Sequence, residues 1–252
     1  KESCIEANYM LASDVDSRIR KAYEYETSPL GKQVLGQLCD NLNIAKNDLI
    51  PICQDTGMTV IFIKVGQDVH IVGGSLEEAI NEGIRQGYKE GYLRKSVVSD
   101  PIIRVNTKDN TPGIIHYEIV PGDKIEITVA PKGFGSENMS RIYMLKPSDG
   151  VDGIKNAVLE TVKLAGPNAC PPIVVGVGIG GSFEKCAILA KKALTRNLDE
   201  PSDKPHIRRL EEELLDEINN LNIGPAGFGG ITTALGVKIE TYSTHIAGLP
   251  VA

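Results

Sequence analysis

Cys53, Gln54 and Asp55 stand side by side in Ile52-Cys53-Gln54-Asp55-Thr56-Gly57, at the end of an apolar run and just before a turn. The stretch joins a soft metal ligand, an amide and a carboxylate. Cys170 has an equally unusual setting, Gly166-Pro167-Asn168-Ala169-Cys170-Pro171-Pro172. A cysteine followed by proline on an irregular loop suits cluster ligation, because the ring stiffens the backbone beside the sulfur, and ferredoxin-type runs also end in Cys-Pro. Neither cysteine belongs to a CxxC pair, so spacing alone does not establish a metal site.

Among the histidines, His245 follows an expected strand, Val237 to Tyr242, and precedes Ile246-Ala247-Gly248-Leu249-Pro250. A constrained bend of this kind leaves both a functional and a structural reading open. His70 and His116 lie in strand-like runs, and His206 precedes a charged helix, so all three read as structural or solvated. Cys4, Cys39 and Cys186 read as core thiols. Arg94 and Lys132 fall in polar loops, where a guanidinium could match a carboxylate bidentately.

The elements around these residues follow from periodicity and turn chemistry. Leu11 to Tyr25 and Lys32 to Leu42 read as helices separated at Ser28-Pro29-Leu30-Gly31. Thr59 to Val65 is a β-branched strand, and Ser75 with Glu78 forms a capping box for a helix to about Gly87. Arg94 to Pro112 is a long polar loop. Ile114 to Val120 and Lys124 to Val129 are strands around the turn Pro121-Gly122-Asp123. Helices at Asp152 to Ala165, Phe183 to Arg196 and Arg208 to Leu221 alternate with strands at Ile173 to Ile179 and Val237 to Tyr242. The expected fold class is α/β, with mixed β-sheets flanked by helices in a single compact domain.

Val175-Gly176-Val177-Gly178-Ile179-Gly180-Gly181-Ser182 invites a dinucleotide reading, since strand, glycines and helix N-terminus can hold an anion. The order is GxGxGG rather than GxGxxG, and no acidic residue closes a clear following strand. A tight strand-to-helix turn is the better expectation.

The chain has 252 residues, 41% of them apolar, 24% charged and 5% aromatic, with a net charge of -6. The acidic balance disfavours nucleic acid as a partner, and no apolar run reaches the ~20 residues that span a bilayer. The start lacks a signal-peptide pattern and an initiator methionine, which reads as a processed or trimmed N-terminus. Five cysteines, an odd number in a chain too long to need staples, point to reduced thiols or ligands in the cytoplasm.

Five separated words, Pro51 to Gly57, Asn106 to Pro112, Lys132 to Asn138, Gly166 to Pro172 and Gly180 to Lys185, resemble the α subunit of class I fumarase. That iron–sulfur hydro-lyase family also contains L(+)-tartrate dehydratase, and the resemblance spans essentially the whole chain in one order. It implies a [4Fe-4S] cluster with Cys53 and Cys170 as two of three cysteine ligands. The third would fall about a dozen residues past the position matching His245, beyond Ala252, so residues 1–252 are expected to be a cluster-binding α domain cut short before it. The resemblance further implies substrate contacts for Gln54, Arg94 and Gly135, and a proton-handling Asp55–His245 pair. It places the C3 base on a β subunit, with an α homodimer or α2β2 assembly and a small dicarboxylate substrate. The words at 106–112 and 132–138 favour malate and fumarate, with tartrate as the alternative. A non-catalytic iron–sulfur protein would not need Asp55, His245 and Arg94 together, and a nucleotide-binding protein would use the 176–181 glycines.

Overall fold

Residues 58–66 alternate β-branched and apolar side chains, and in the computed structural model, which describes residues 1–252, they form a central strand. The mixed α/β class with helix-flanked mixed sheets is as expected. Within the chain the packing divides into two units. The first comprises Lys1–Ala12 and Asp40–Phe134, the second Ser13–Cys39 and Gly135–Ala252. Each has its own sheet and its own apolar cluster.

The elements in chain order are α1 (Glu2–Tyr9), α2 (Ser13–Tyr25), α3 (Pro29–Asp48), β1 (Met58–Gly66), α4 (Leu76–Glu90), β2 (Ile114–Val120) and β3 (Ile125–Lys132). There follow α5 (Phe134–Glu137), β4 (Tyr143–Leu145), α6 (Gly150–Ala165), β5 (Ile173–Gly180), α7 (Phe183–Ala193), α8 (Pro205–Asn219), β6 (Ala234–Tyr242) and β7 (Leu249–Val251).

In the first unit the sheet order is β2-β1-β3, with β1 parallel to β2 and antiparallel to β3. The Pro121-Gly122-Asp123 turn therefore joins two strands that do not pair with each other. The end of β1 enters between them: Gln67 N–H donates to the Val120 carbonyl at 2.8 Å and Gly66 N–H to the Lys124 carbonyl at 2.8 Å. Only glycine fits at 66, since a Cβ there would lie 2.3 Å from the Gly122 carbonyl oxygen. Helix α4 presents Ile80, Ile84 and Tyr88 at four-residue spacing, one stripe of a helix, and packs them with Ile61, Ile63, Cys4 and Tyr9. Its Ser75 hydroxyl accepts the Glu78 N–H at 3.3 Å, the expected cap. The helix runs to Glu90, one turn past the expected end. Val69-His70-Ile71, read as strand-like, is an exposed loop, because β1 already ends at Gly66.

In the second unit the sheet order is β4-β7-β5-β6. Helix α8 starts with Pro205 in its first turn and buries Ile207, Leu210, Leu214 and Ile218 against this sheet. Truncating the fully buried Leu214 or Ile218 to alanine would cost about 2–5 kcal/mol. Glycines 176 and 178 let α7 lie directly on β5: a Cβ would sit 2.2 Å from the Ala190 carbonyl oxygen or 2.0 Å from that of Cys186. Their role is helix-on-strand packing. The buried Glu26 carboxylate accepts N–H bonds from Thr27, Ser28, Ile231 and Thr232, tying the end of α2 to the residues that lead from the Gly-rich connector into β6. The short strands β4 and β7 have no counterpart in the sequence reading.

Candidate active site

Of the five cysteines, Cys4, Cys39 and Cys186 are buried and only Cys53 and Cys170 are exposed, all as free thiols. The Cys186 thiol donates to the Phe183 carbonyl at 3.2 Å, and burial pushes it up from its ordinary pKa. That is the behaviour of an inert core thiol.

In the first unit, Cys53, Gln54 and Asp55 occupy the loop before β1. The Cys53 thiol donates to Gln54 Oε1 at 3.3 Å, and the Asp55 N–H approaches its sulfur at 3.5 Å. Asp55 Oδ1 accepts Gly57 N–H at 3.2 Å, which closes the turn, and Oδ2 accepts Phe134 N–H at 2.8 Å. The Cys-Gln-Asp loop and the Lys132-Gly133-Phe134 loop thus meet at one carboxylate. Gly133 permits the approach, since a Cβ there would lie 3.0 Å from Asp55 Oδ2. Lys132 ends β3, with Nζ donating to the Gly133 carbonyl at 3.1 Å.

Three buried polar groups hold this loop from behind. Tyr88 OH donates to the Thr56 carbonyl at 2.6 Å, and burial pushes its pKa up to about 12, so it remains a donor. Thr56 Oγ1 donates to the Arg94 carbonyl at 2.9 Å. Asn110, fully buried, donates to the Gly57 carbonyl at 3.1 Å and accepts Ser96 N–H at 2.7 Å. Asn110 adopts φ 63°, a left-handed conformation that asparagine tolerates better than most residues. Exposed Arg94 is therefore anchored by its backbone to the same turn that carries Cys53 and Asp55.

The second unit holds Gly135, Cys170 and His245. Gly135 backs onto the Asn168 carbonyl oxygen, 3.4 Å from where a Cβ would sit, so two of the quoted words meet there. Cys170 is left-handed, with φ 56° and ψ 60°, and its N–H donates to the Pro167 carbonyl at 3.0 Å. His245 is exposed, and its Nδ1 accepts Ala247 N–H at 3.1 Å. In neutral His245 the proton must then sit on Nε2. Beside it, Thr244 Oγ1 donates to the Gly181 carbonyl at 2.9 Å, linking this bend to the Gly180–Lys185 word.

Thr56, Tyr88 and Asn110 escaped the sequence reading. Asn110 lies inside a quoted word, and Tyr88 continues the α4 stripe one residue past the expected helix end. No group of three or more His, Cys, Asp or Glu side chains within the chain is placed to hold a metal ion. The donor chemistry of the two exposed cysteines nonetheless fits an iron–sulfur cluster, which takes soft thiolates.

Cys53 and Gln54 are exposed beside a part-buried Asp55 carboxylate, on an α/β frame with a buried polar network behind them. The chain belongs to the fumarate hydratase (fumerase) family of hydro-lyases, whose model matches residues 1–252. It is 45% identical over 252 residues to a protein of Methanocaldococcus jannaschii named "Putative L(+)-tartrate dehydratase subunit alpha", covering 98% of this chain and 88% of that one. It is 34% identical over 246 residues to the L(+)-tartrate dehydratase subunit alpha of Escherichia coli strain UTI89, covering 96% of this chain and 80% of the relative. These names favour the tartrate alternative over the malate and fumarate reading. No helix is long and apolar enough to cross a membrane.

Proposed function

We propose that this chain is the α subunit of an iron–sulfur hydro-lyase that dehydrates a four-carbon hydroxydicarboxylate, with L(+)-tartrate as the first substrate and malate/fumarate as the second. The observation that carries the reading is the division of the cysteines, with Cys53 and Cys170 exposed and the other three buried. The relatives' names support tartrate and an α subunit that works with a β partner. The family description supports malate.

In this reading Cys53 and Cys170 are two ligands of a [4Fe-4S] cluster. When bound, such a cluster supplies Lewis acidity toward a hydroxyl leaving group. The chain's own residues do the remaining work on this side. Arg94 offers a planar, permanently charged donor to a substrate carboxylate. Gln54 adds an amide that can donate and accept. Gly135 leaves room for substrate to approach the backbone.

Asp55 and His245 handle the proton of the leaving hydroxyl. The Asp55 carboxylate is held by the Gly57 and Phe134 N–H groups and keeps further lone pairs as an acceptor. His245 has Nδ1 occupied by Ala247 N–H, so its Nε2–H is the free donor it can turn toward the leaving hydroxyl. The C3 base comes from the β subunit.

The test is anaerobic reconstitution of the α chain with its β partner, assayed against L(+)-tartrate, malate and fumarate. Turnover of tartrate above malate is the expected result. Turnover of malate alone reverses the substrate order, and full activity of the α chain without β contradicts the division of labour.

A further inference from the structure

Glu26 is a buried carboxylate that the proposed chemistry does not use. Its partners are backbone N–H groups. Oε1 accepts those of Thr27, Ser28 and Ile231 at 2.9, 3.0 and 3.1 Å, and Oε2 accepts that of Thr232 at 3.2 Å. Burial pushes its carboxyl up, but the four N–H bonds outweigh that and hold it below its ordinary range. Glu26 is therefore an ionised, acceptor-only anchor for the segment that joins α8 to β6.

The same segment closes on the Cys170 turn, within the second unit. Ala226 N–H donates to the Pro171 carbonyl at 2.7 Å, and Ile173 N–H donates to the Thr233 carbonyl at 3.0 Å. Residues 171–173 are thus held on both sides by the stretch that Glu26 fastens. Gly227 lies against the turn, since a Cβ there would come within 2.6 Å of Pro167 Cβ. A helix end needs one left-handed residue. Here Asn222, Gly224, Ala226, Gly227, Gly229 and Gly230 all have positive φ, and so does Cys170 itself. Ala226, at φ 52°, lacks both the freedom of glycine and the side-chain bonds of asparagine. Backbone of this kind persists only where its surroundings over-determine it, and it gathers at functional sites.

We propose that Glu26 is a positioning residue for Cys170: it fixes the 222–233 segment, which locks the Pro167–Pro172 turn and the left-handed backbone that presents the thiol. The assignment rests on the reading of Cys170 as a cluster ligand. Outer supports matter to such a ligand because they set its orientation before the metal arrives. Glutamine cannot take the place of Glu26, since its NH2 group would face a backbone N–H wherever it turned.

Glu26→Gln and Gly227→Ala test the two ends of this clamp. Leu214→Ala is the control, because it loosens the apolar core of the same unit and removes no bond of the clamp. Amide hydrogen exchange at Cys170, Ile173 and Ala226 is measured first, on the full chain without metal. Both loop variants should exchange roughly tenfold faster than wild type there, in line with the loss of buried hydrogen bonds, and the control should not single these amides out. The chains are then reconstituted with the β partner and challenged with a chelator. Both loop variants should hold iron about 10–100-fold less tightly than wild type, the range for outer partners of metal ligands, while the control keeps the wild-type value. Unchanged exchange in Glu26→Gln, or fast exchange with wild-type iron retention, would overturn the proposal. So would a control that matches the loop variants in both readouts. A wild type that never loads iron would count against the proposed function alone, since exchange in the metal-free chain still decides whether Glu26 holds the turn.

Discussion

The Asp55 carboxylate accepts the Phe134 backbone N–H at 2.8 Å, so the loop that carries Cys53 and the loop that follows β3 share one side chain. The same carboxylate closes its own turn through Gly57 N–H. Asp55 therefore has a structural duty as well as the proposed chemical one, and its variants must be read with both in view.

Asp55→Asn keeps shape and one acceptor oxygen, so the turn should form while the charge is lost. We expect kcat to fall by roughly 10²–10⁴-fold, the range for positioned acid–base groups, together with a modest drop in melting temperature, since one of the two N–H groups on Asp55 loses its acceptor. His245→Asn should do similar damage. Steady-state kinetics of the double variant should show a loss little greater than either single one, because groups acting as a unit are non-additive. Multiplying losses would separate Asp55 and His245 into independent roles.

Asn110→Ala should destabilise more than an ordinary polar-to-alanine change. It removes the side-chain acceptor of the Ser96 and Val97 N–H groups in a fully buried position, leaves the Gly57 carbonyl with Tyr88 OH alone, and puts alanine at φ 63°. A loss of roughly 2–4 kcal/mol in urea unfolding is expected from two unpaired groups and the left-handed backbone. Tyr88→Phe, which strands the Thr56 carbonyl, should cost about 1–2 kcal/mol. A change below about 0.5 kcal/mol in both would mean that the 53–57 turn stands without this network.

These two residues also mark where sequence reading stopped. The helix and strand periods placed β1, β2, α4, α6 and α8 to within a few residues, because long amphipathic stripes and β-branched runs are local signals. The order β2-β1-β3 was not legible, since Pro121-Gly122-Asp123 looks the same whether its strands pair with each other or with a third. Cys53 and Cys170 stood out by their neighbours. Asn110 and Tyr88 did not, because their value lies in buried carbonyls supplied from elsewhere in the chain.

Acid should weaken the protein partly through Asp109. Burial pushes its carboxyl up, but bonds from Thr111 N–H, Thr111 Oγ1 and the Arg85 guanidinium outweigh that and bring it down to about 2, against an ordinary 3.8. A depressed carboxylate contributes stability that is present above its ordinary pKa and is lost as pH falls from about 4 toward 2. Partial exposure limits the contribution to about 1–2 kcal/mol. Asp109→Asn should be less stable at pH 7 and flatter across that acid window in pH-dependent urea titrations. An unchanged acid profile would remove Asp109 from the account.

Gly178→Ala should fail for packing reasons, since its Cβ would meet the Cys186 carbonyl oxygen at 2.0 Å. The expected result is a lowered melting temperature for the variant, and no saturable nucleotide binding by the wild type in calorimetry. Saturable binding of ATP or NAD would restore the nucleotide reading of the 176–181 glycines.

The central claim is that Cys53 and Cys170 hold the cluster. Iron content and visible absorbance after anaerobic reconstitution with the β partner, measured on Cys53→Ser, Cys170→Ser and Cys186→Ser side by side, test it most directly. The account predicts that the first two lose the iron–sulfur absorbance while Cys186→Ser, altered only in the core, retains it. Equal iron and equal absorbance in all three would contradict it.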